Sequence, residues 1–191
     1  MRIAVLAWGS LVWQPSNDHG DLCVDPGHGW QPDGPELPIE FGRISADGRL
    51  TLIALPGYVA TSPVLWRRSC HDRLDDAIDN LARRETNAPR RHIHSAGHSG
   101  VLNGSPDPSI GDAVTRWLTS RTDVDAAIWT GLPPGPRWSA NGHDGFSTDA
   151  ALAYASSLAG EVRARAAEYV ARAPHQIATP LRPRLAEILG R

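Results

Sequence analysis

The sequence predicts an α+β domain built on a mixed or antiparallel sheet with flanking helices. Three observations carry that prediction. Apolar, β-rich runs cluster in the first half of the chain, helical patterns fill the second, and an Asp47-Gly48 turn joins two of the runs in the strongest hairpin signal present. A length of 191 residues predicts one domain over 1–191, with a helical C-terminal part from about residue 147.

The elements follow in order. Ile3, Val5 and Leu6 lie in an unbroken apolar run that stops at Gly9-Ser10 and resumes as Leu11-Val12-Trp13. This reads as a buried strand ending in a bend that leaves backbone N–H groups and one hydroxyl at the lip of a sheet, an arrangement suited to a small anionic or carbonyl-bearing ligand. Residues 14–38 are rich in Pro, Gly, Asp and His and predict a long excursion or lid. The hairpin pairs 37–45 with 50–55, and 59–67 forms a further strand interrupted by Pro63. Ser69 caps a helix running to about Glu85, ahead of the Asn87-Ala88-Pro89 breaker. A polar loop or irregular strand over 90–108 precedes a helix at 112–121 and a short strand at 126–129. After a Pro/Gly-rich connection over 132–145, Ser147 caps an Ala-rich helix toward Ala173, kinked or broken near Gly160, and Pro180–Leu189 closes with a short helix.

Composition narrows the chemistry. A net charge of -2 gives no basis for nucleic acid or an anionic membrane as partner. All 19 basic residues are arginine, so a P-loop lysine, a Schiff-base lysine and a Ser-Lys dyad are excluded. Cys23 and Cys70 match no zinc or redox spacing; one long-range disulfide is conceivable, and two free thiols in a reducing cytoplasm is the expected state. The N-terminal apolar run is about a third of a membrane span and lacks a signal-peptide pattern, which predicts a cytoplasmic location. Nothing in the sequence specifies the oligomeric state.

Two places could carry catalysis. At 100° per residue, Leu74, Ile78 and Leu81 form one stripe of their helix, and Glu85 falls in the same stripe. A carboxylate at a core-facing position has its pKa raised by burial, the condition for a general acid/base near neutrality. The alternative is a frayed helix end whose carboxylate turns to solvent or pairs with Arg84 or Arg90. The Gly9-Ser10 turn has its own plain alternative, a ligand-free reversal. Ser10 lacks a Gly-x-Ser-x-Gly elbow, which disfavours a nucleophilic serine. His92, His94 and His98 could form a metal site with Glu85 as base, or simply a histidine-rich polar loop. Of seven tryptophans, only Trp8 and Trp13 adjoin the turn.

Taken together, Gly9-Ser10-Leu11-Val12-Trp13 after a first strand resembles the Tyr-Gly-Ser-Leu-x-Trp loop of the γ-glutamylcyclotransferase superfamily, with its ChaC-like glutathione-degrading branch closest. Leu81-Ala82-Arg83-Arg84-Glu85 is similar to that branch's Leu-x-x-Arg-Glu helix end. Trp8 stands where the family has tyrosine, the branch's His-Arg-Gly segment has no counterpart, and the second half of the chain carries no matching motif. The resemblance implies a sheet curling toward a barrel with flanking helices, and a reaction without metal or other cofactor. In that reaction a γ-glutamyl amide is cleaved by attack of its own α-amine, giving 5-oxoproline and a free amine. It implies Glu85 as the catalytic acid/base and Trp8, Gly9, Ser10 and Leu11 as the substrate loop; Arg43 is a candidate partner for the substrate α-carboxylate, or a surface hairpin arginine. The rival expectations are a non-catalytic small-molecule-binding module on the same fold and a His-dependent metal hydrolase.

Overall fold

The computed structural model describes residues 1–85, 89–104 and 106–190, in an α+β architecture of a mixed sheet and six helices. Strands β1 (Ile3–Ala7), β2 (Ser16–Asn17), β3 (Gly20–Asp21) and β4 (Glu36–Leu37) precede the hairpin of β5 (Ile39–Ile44) and β6 (Leu50–Ala54). β7 (Ser62–Pro63) and β8 (Leu65–Arg68) lead into helix α1 (Leu74–Arg84). Then come β9 (Ile93–Gly97), β10 (Gly100–Asn103), α2 (Pro108–Thr119) and β11 (Ala126–Thr130). The chain ends in α3 (Arg137–Ala140), α4 (Thr148–Ser157), α5 (Gly160–Arg172) and α6 (Leu181–Leu189). These elements fall into two compact units, one of Met1–Leu37 with Pro63–Gly131, the other of Pro38–Ser62 with the chain from Leu132 onward.

In the first unit the sheet runs β10-β9-β11-β1-β8. β1 pairs parallel with β11, with Val5 opposite Ile128, and every other pairing is antiparallel. All five residues of β1 are buried, as a central strand covered on both faces requires. Helix α1 covers one face: Ala77, Ile78, Leu81 and Ala82 pack with Ile3, Val5, Ala7, Ile93 and Ile128. Alternation along the strands puts Leu6, Ala96 and Trp129 on the other face, where α2 packs against β9, β10 and β11.

Helix α1 runs alongside β1 in the same direction. The terminal ammonium of Met1 donates to the carbonyl of Asp72, just before the helix starts, at 2.8 Å. Its last residue, Arg84, is bonded to Gln14 and Pro15, just after the turn that ends β1. An eleven-residue helix and a five-residue strand are each about 16 Å long. Both therefore finish at the same edge of the sheet.

The second unit packs α3 to α6 around the β5–β6 hairpin, whose register sets Ile39 opposite Ala54 and Ile44 opposite Leu50. Ser147 caps α4 by accepting the Ala150 N–H at 3.0 Å. The break before α5 falls at Leu158 and Ala159, both extended, with Gly160 at φ +54 opening the next helix. Glu40 is fully buried on β5; its carboxylate accepts the N–H of Phe41 at 2.7 Å and of Leu181, at the start of α6, at 3.4 Å. Glu40→Ala strands both amides in the interior. We expect it to cost about 2 kcal/mol, read as a lower urea midpoint at unchanged slope.

Several expectations are corrected. No sheet among the described residues closes into a barrel: the β5–β6 hairpin forms a two-stranded sheet of its own. Ser69 does not cap α1, because its N–H is still held by the sheet through the Ile3 carbonyl at 2.8 Å and its hydroxyl accepts the His71 N–H. The helix starts instead at Leu74, after Arg73, without a side-chain cap. The stretch read as a polar loop or irregular strand over 90–108 forms the paired strands β9 and β10. α2 starts at Pro108, four residues before the expected start, capped by Asp107, which accepts the Ser109 N–H. The breaker residues 87 and 88 lie outside the described residues. The excursion over 14–38 is fastened to the first unit along its length. Gln31 exchanges backbone bonds with Trp66, Arg67 donates to the Asp25 carbonyl, and Asn80 of α1 clamps Asp21 and Cys23.

Candidate active site

The parallel pair β1 and β11 sends its carboxyl ends to one edge of the first unit. There the chain leaving β1 makes a turn through Trp8, Gly9, Ser10 and Leu11. Trp8 and Leu11 are buried and Ser10 is half-buried. Two backbone bonds close the turn, Val12 N–H to the Gly9 carbonyl at 3.0 Å and Gln14 N–H to the Ser10 carbonyl at 2.8 Å. Both use carbonyls of the turn, so among the described residues the amides of Gly9, Ser10 and Leu11 take no part in the turn's own backbone hydrogen bonds. A row of such main-chain donors can hold a carboxylate or a developing oxyanion.

Glu85 comes to the same edge from α1. It is the residue at which the helix ends, its N–H still bonded to the Leu81 carbonyl at 3.0 Å, and it continues the stripe of Ile78 and Leu81 that faces the sheet. Its side chain is 19% exposed. Burial raises its pKa above the ordinary carboxylate value, and the Arg84 guanidinium, 3.7 Å away, opposes that rise. Of the two pairings the sequence left open, Arg84 is the one made. Arg90 turns instead to Asp75 and Asp79.

Arg84 also builds the site. Its side chain is 5% exposed, donates from Nε to the Pro15 carbonyl at 3.0 Å and reaches the Gln14 carbonyl as well. Its own carbonyl accepts from Asn17 Nδ2 at 3.0 Å. Burial lowers the Arg84 pKa, partly offset by Glu85. One arginine thus ties the end of α1 to the segment that follows the turn, and brings residues some seventy positions apart to one edge.

Sequence reasoning missed this clamp because consecutive arginines at a helix end resemble a solvated last turn. It also missed two hydroxyls. Ser95 stands opposite Ile128 on the face that α1 covers, and Thr130, two residues beyond Ile128, shares that face at the carboxyl edge. Ser95 Oγ and Thr130 Oγ1 are both buried and, among the described residues, have no hydrogen-bond partner. Ser95 sits in the stretch read as irregular, so no alternation marked it.

Arg43 belongs to the second unit, where it donates to the Pro133 carbonyl at 2.6 Å. Burial and the neighbouring Arg137 lower its pKa. The three histidines do not form one cluster: His92 is near enough to help lower the His94 pKa, and His98 lies apart. His94 packs edge-on against Trp129 on the face away from α1, and burial lowers its pKa. His98, in the turn after β9, is bonded to the Val124 carbonyl at 3.1 Å. Among the described residues no group of three or more His, Cys, Asp or Glu is placed to hold a metal ion.

No protein-family model matches this chain, and no curated protein matches its sequence. No helix among the described residues is long and apolar enough to cross a membrane.

Proposed function

We propose that this protein is a γ-glutamylcyclotransferase-like enzyme that cleaves a γ-glutamyl or related amide by intramolecular aminolysis. The observation that supports this reading above all is Glu85, a desolvated carboxylate with a raised pKa, at the same sheet edge as the main-chain amides of residues 9–11. The reaction needs few parts. Glu85 takes a proton from the substrate α-ammonium, and the freed amine attacks the γ-carbonyl within the same molecule. Confinement of the two reacting atoms supplies much of the rate. The amides of Gly9, Ser10 and Leu11 receive the negative charge that grows on the carbonyl oxygen. Glu85 then returns its proton to the departing nitrogen, and the second proton of the attacking nitrogen passes to the released amine, leaving 5-oxoproline and an ammonium. The cycle regenerates the carboxylate and requires neither a covalent intermediate nor a cofactor.

Thr130, whose buried hydroxyl at this edge has no hydrogen-bond partner among the described residues, is the candidate for orienting the substrate. Thr130→Val should raise KM about fivefold at nearly unchanged kcat, the loss of about one neutral hydrogen bond, with the folded spectrum intact. The experiment that tests the whole reading is incubation with a panel of γ-glutamyl amines followed by mass spectrometry. Appearance of 5-oxoproline with the free amine is the expected result. Saturable binding of a panel member without turnover would instead establish a binding module, and absence of both would refute the reading.

A further inference from the structure

A second feature of the first unit lies outside this site. Val24 and Ser69 form an isolated antiparallel bridge, which sets Cys23 directly opposite Cys70. The Cys70 N–H donates to the Cys23 carbonyl at 3.1 Å, and the proximity of Cys23 raises the pKa of the Cys70 thiol. Both thiols are free; Cys70 is exposed and Cys23 partly so. Directly opposed positions in an antiparallel pair have Cα atoms about 4.5–5.5 Å apart. That lies inside the roughly 4.4–6.8 Å window in which a disulfide forms without backbone movement.

We propose that Cys23 and Cys70 are a covalent modification site, a dithiol that closes to an intramolecular disulfide on meeting a small-molecule disulfide oxidant. The Cys23 sulfur, as thiolate, attacks the oxidant; one sulfur–sulfur bond breaks, a mixed disulfide forms on Cys23 and one small thiolate leaves. Cys70 then loses its proton to solvent and attacks the Cys23 sulfur, expelling the second small thiolate. The protein loses two hydrogens as protons and two electrons, which the oxidant carries away as two thiols. Proximity to Cys23, with some loss of hydration, pushes the Cys70 thiol up to about 11, so closure is slow at neutral pH and accelerates with alkalinity.

The consequence is mechanical. Cys23 lies in the 14–38 excursion, and Cys70 in the connection between β8 and α1. The bond would close a covalent loop over 23–70 and fix the excursion to the chain beside the sheet. Cross-linking so long a loop restricts the unfolded chain strongly, raising Tm by about 10 °C.

The test uses the full chain, reduced and then exposed to glutathione disulfide at rising pH. The expected result is loss of two hydrogens in the intact mass, titratable thiols falling from two to none, a Cys23–Cys70 cross-linked peptide and a higher Tm, all reversed by dithiothreitol. Cys23→Ser should leave a persistent glutathione adduct on Cys70. A stable glutathione adduct on either cysteine of the unaltered chain, an intermolecular dimer, or two thiols that survive at alkaline pH would each overturn the proposal. None of these readouts depends on what the Glu85 edge does.

Discussion

Glu85→Gln is expected to lower kcat for 5-oxoproline release by about a thousandfold, mid-range for a positioned acid/base, while ligand binding and the folded spectrum persist. The unaltered protein should also show an acid limb in its pH–rate profile, displaced above the ordinary carboxylate range because burial favours the protonated form. That limb should vanish from the residual activity of the variant. Stability should move the opposite way. The folded form holds the Glu85 proton more tightly than the unfolded chain does. The Glu85 contribution is therefore most favourable below its unfolded pKa and falls as pH rises through the folded one. A neutral glutamine escapes that fall, so the stability of Glu85→Gln relative to the parent should shift in the variant's favour as pH rises through the Glu85 titration. Full turnover by the variant would remove Glu85 from the mechanism.

Arg84→Ala should be the most damaging single change to stability at this edge. It removes both bonds to the Gln14 and Pro15 carbonyls and deprives a buried carboxylate of its cation. Truncating one partner of such a pair costs about 3–5 kcal/mol, mostly as the penalty on the charge left behind. In a chain of this length that lowers Tm by roughly 10 °C. With the guanidinium gone, nothing opposes the desolvation of Glu85, so the acid limb of any remaining activity should move further up in pH. Arg84→Lys should recover only part of the loss, since an ammonium lacks the planar fork that serves two carbonyls. Thermal unfolding and pH–rate profiles of the two variants decide the matter; an alanine variant as stable as the parent would mean that the clamp carries no weight.

What the pattern of residues revealed, and what it concealed, has a common cause. The stripe through Leu74, Ile78 and Leu81 exposed Glu85 as a carboxylate out of place, because helical periodicity is local and survives without tertiary information. The Asp47-Gly48 hairpin was equally plain, and Gly48 takes φ +84 there. Ser69 misled because a hydroxyl ahead of carboxylates satisfies the capping pattern, whereas its N–H was already committed to Ile3. β9 and β10 read only as a loop or an irregular strand because His94, Ser95 and Gly97 have poor strand propensity, which the pairing of β9 with β11 overrides. Ser95 and Thr130 gained significance only once the register set them on one face.

Local chemistry alone therefore settled the α+β class, the strand that ends at Gly9-Ser10, and the anomaly of an acid on a buried stripe. Each depends on spacing within a dozen residues. Long-range packing settled the rest: the parallel seating of β1 on β11, the hold of Arg84 on Gln14 and Pro15, and the meeting of Cys23 with Cys70. Those pairings join residues from 47 to 123 positions apart. Which distant partner wins such a contest depends on shared burial and hydrogen-bond satisfaction across the whole fold, and no short window of residues contains that information.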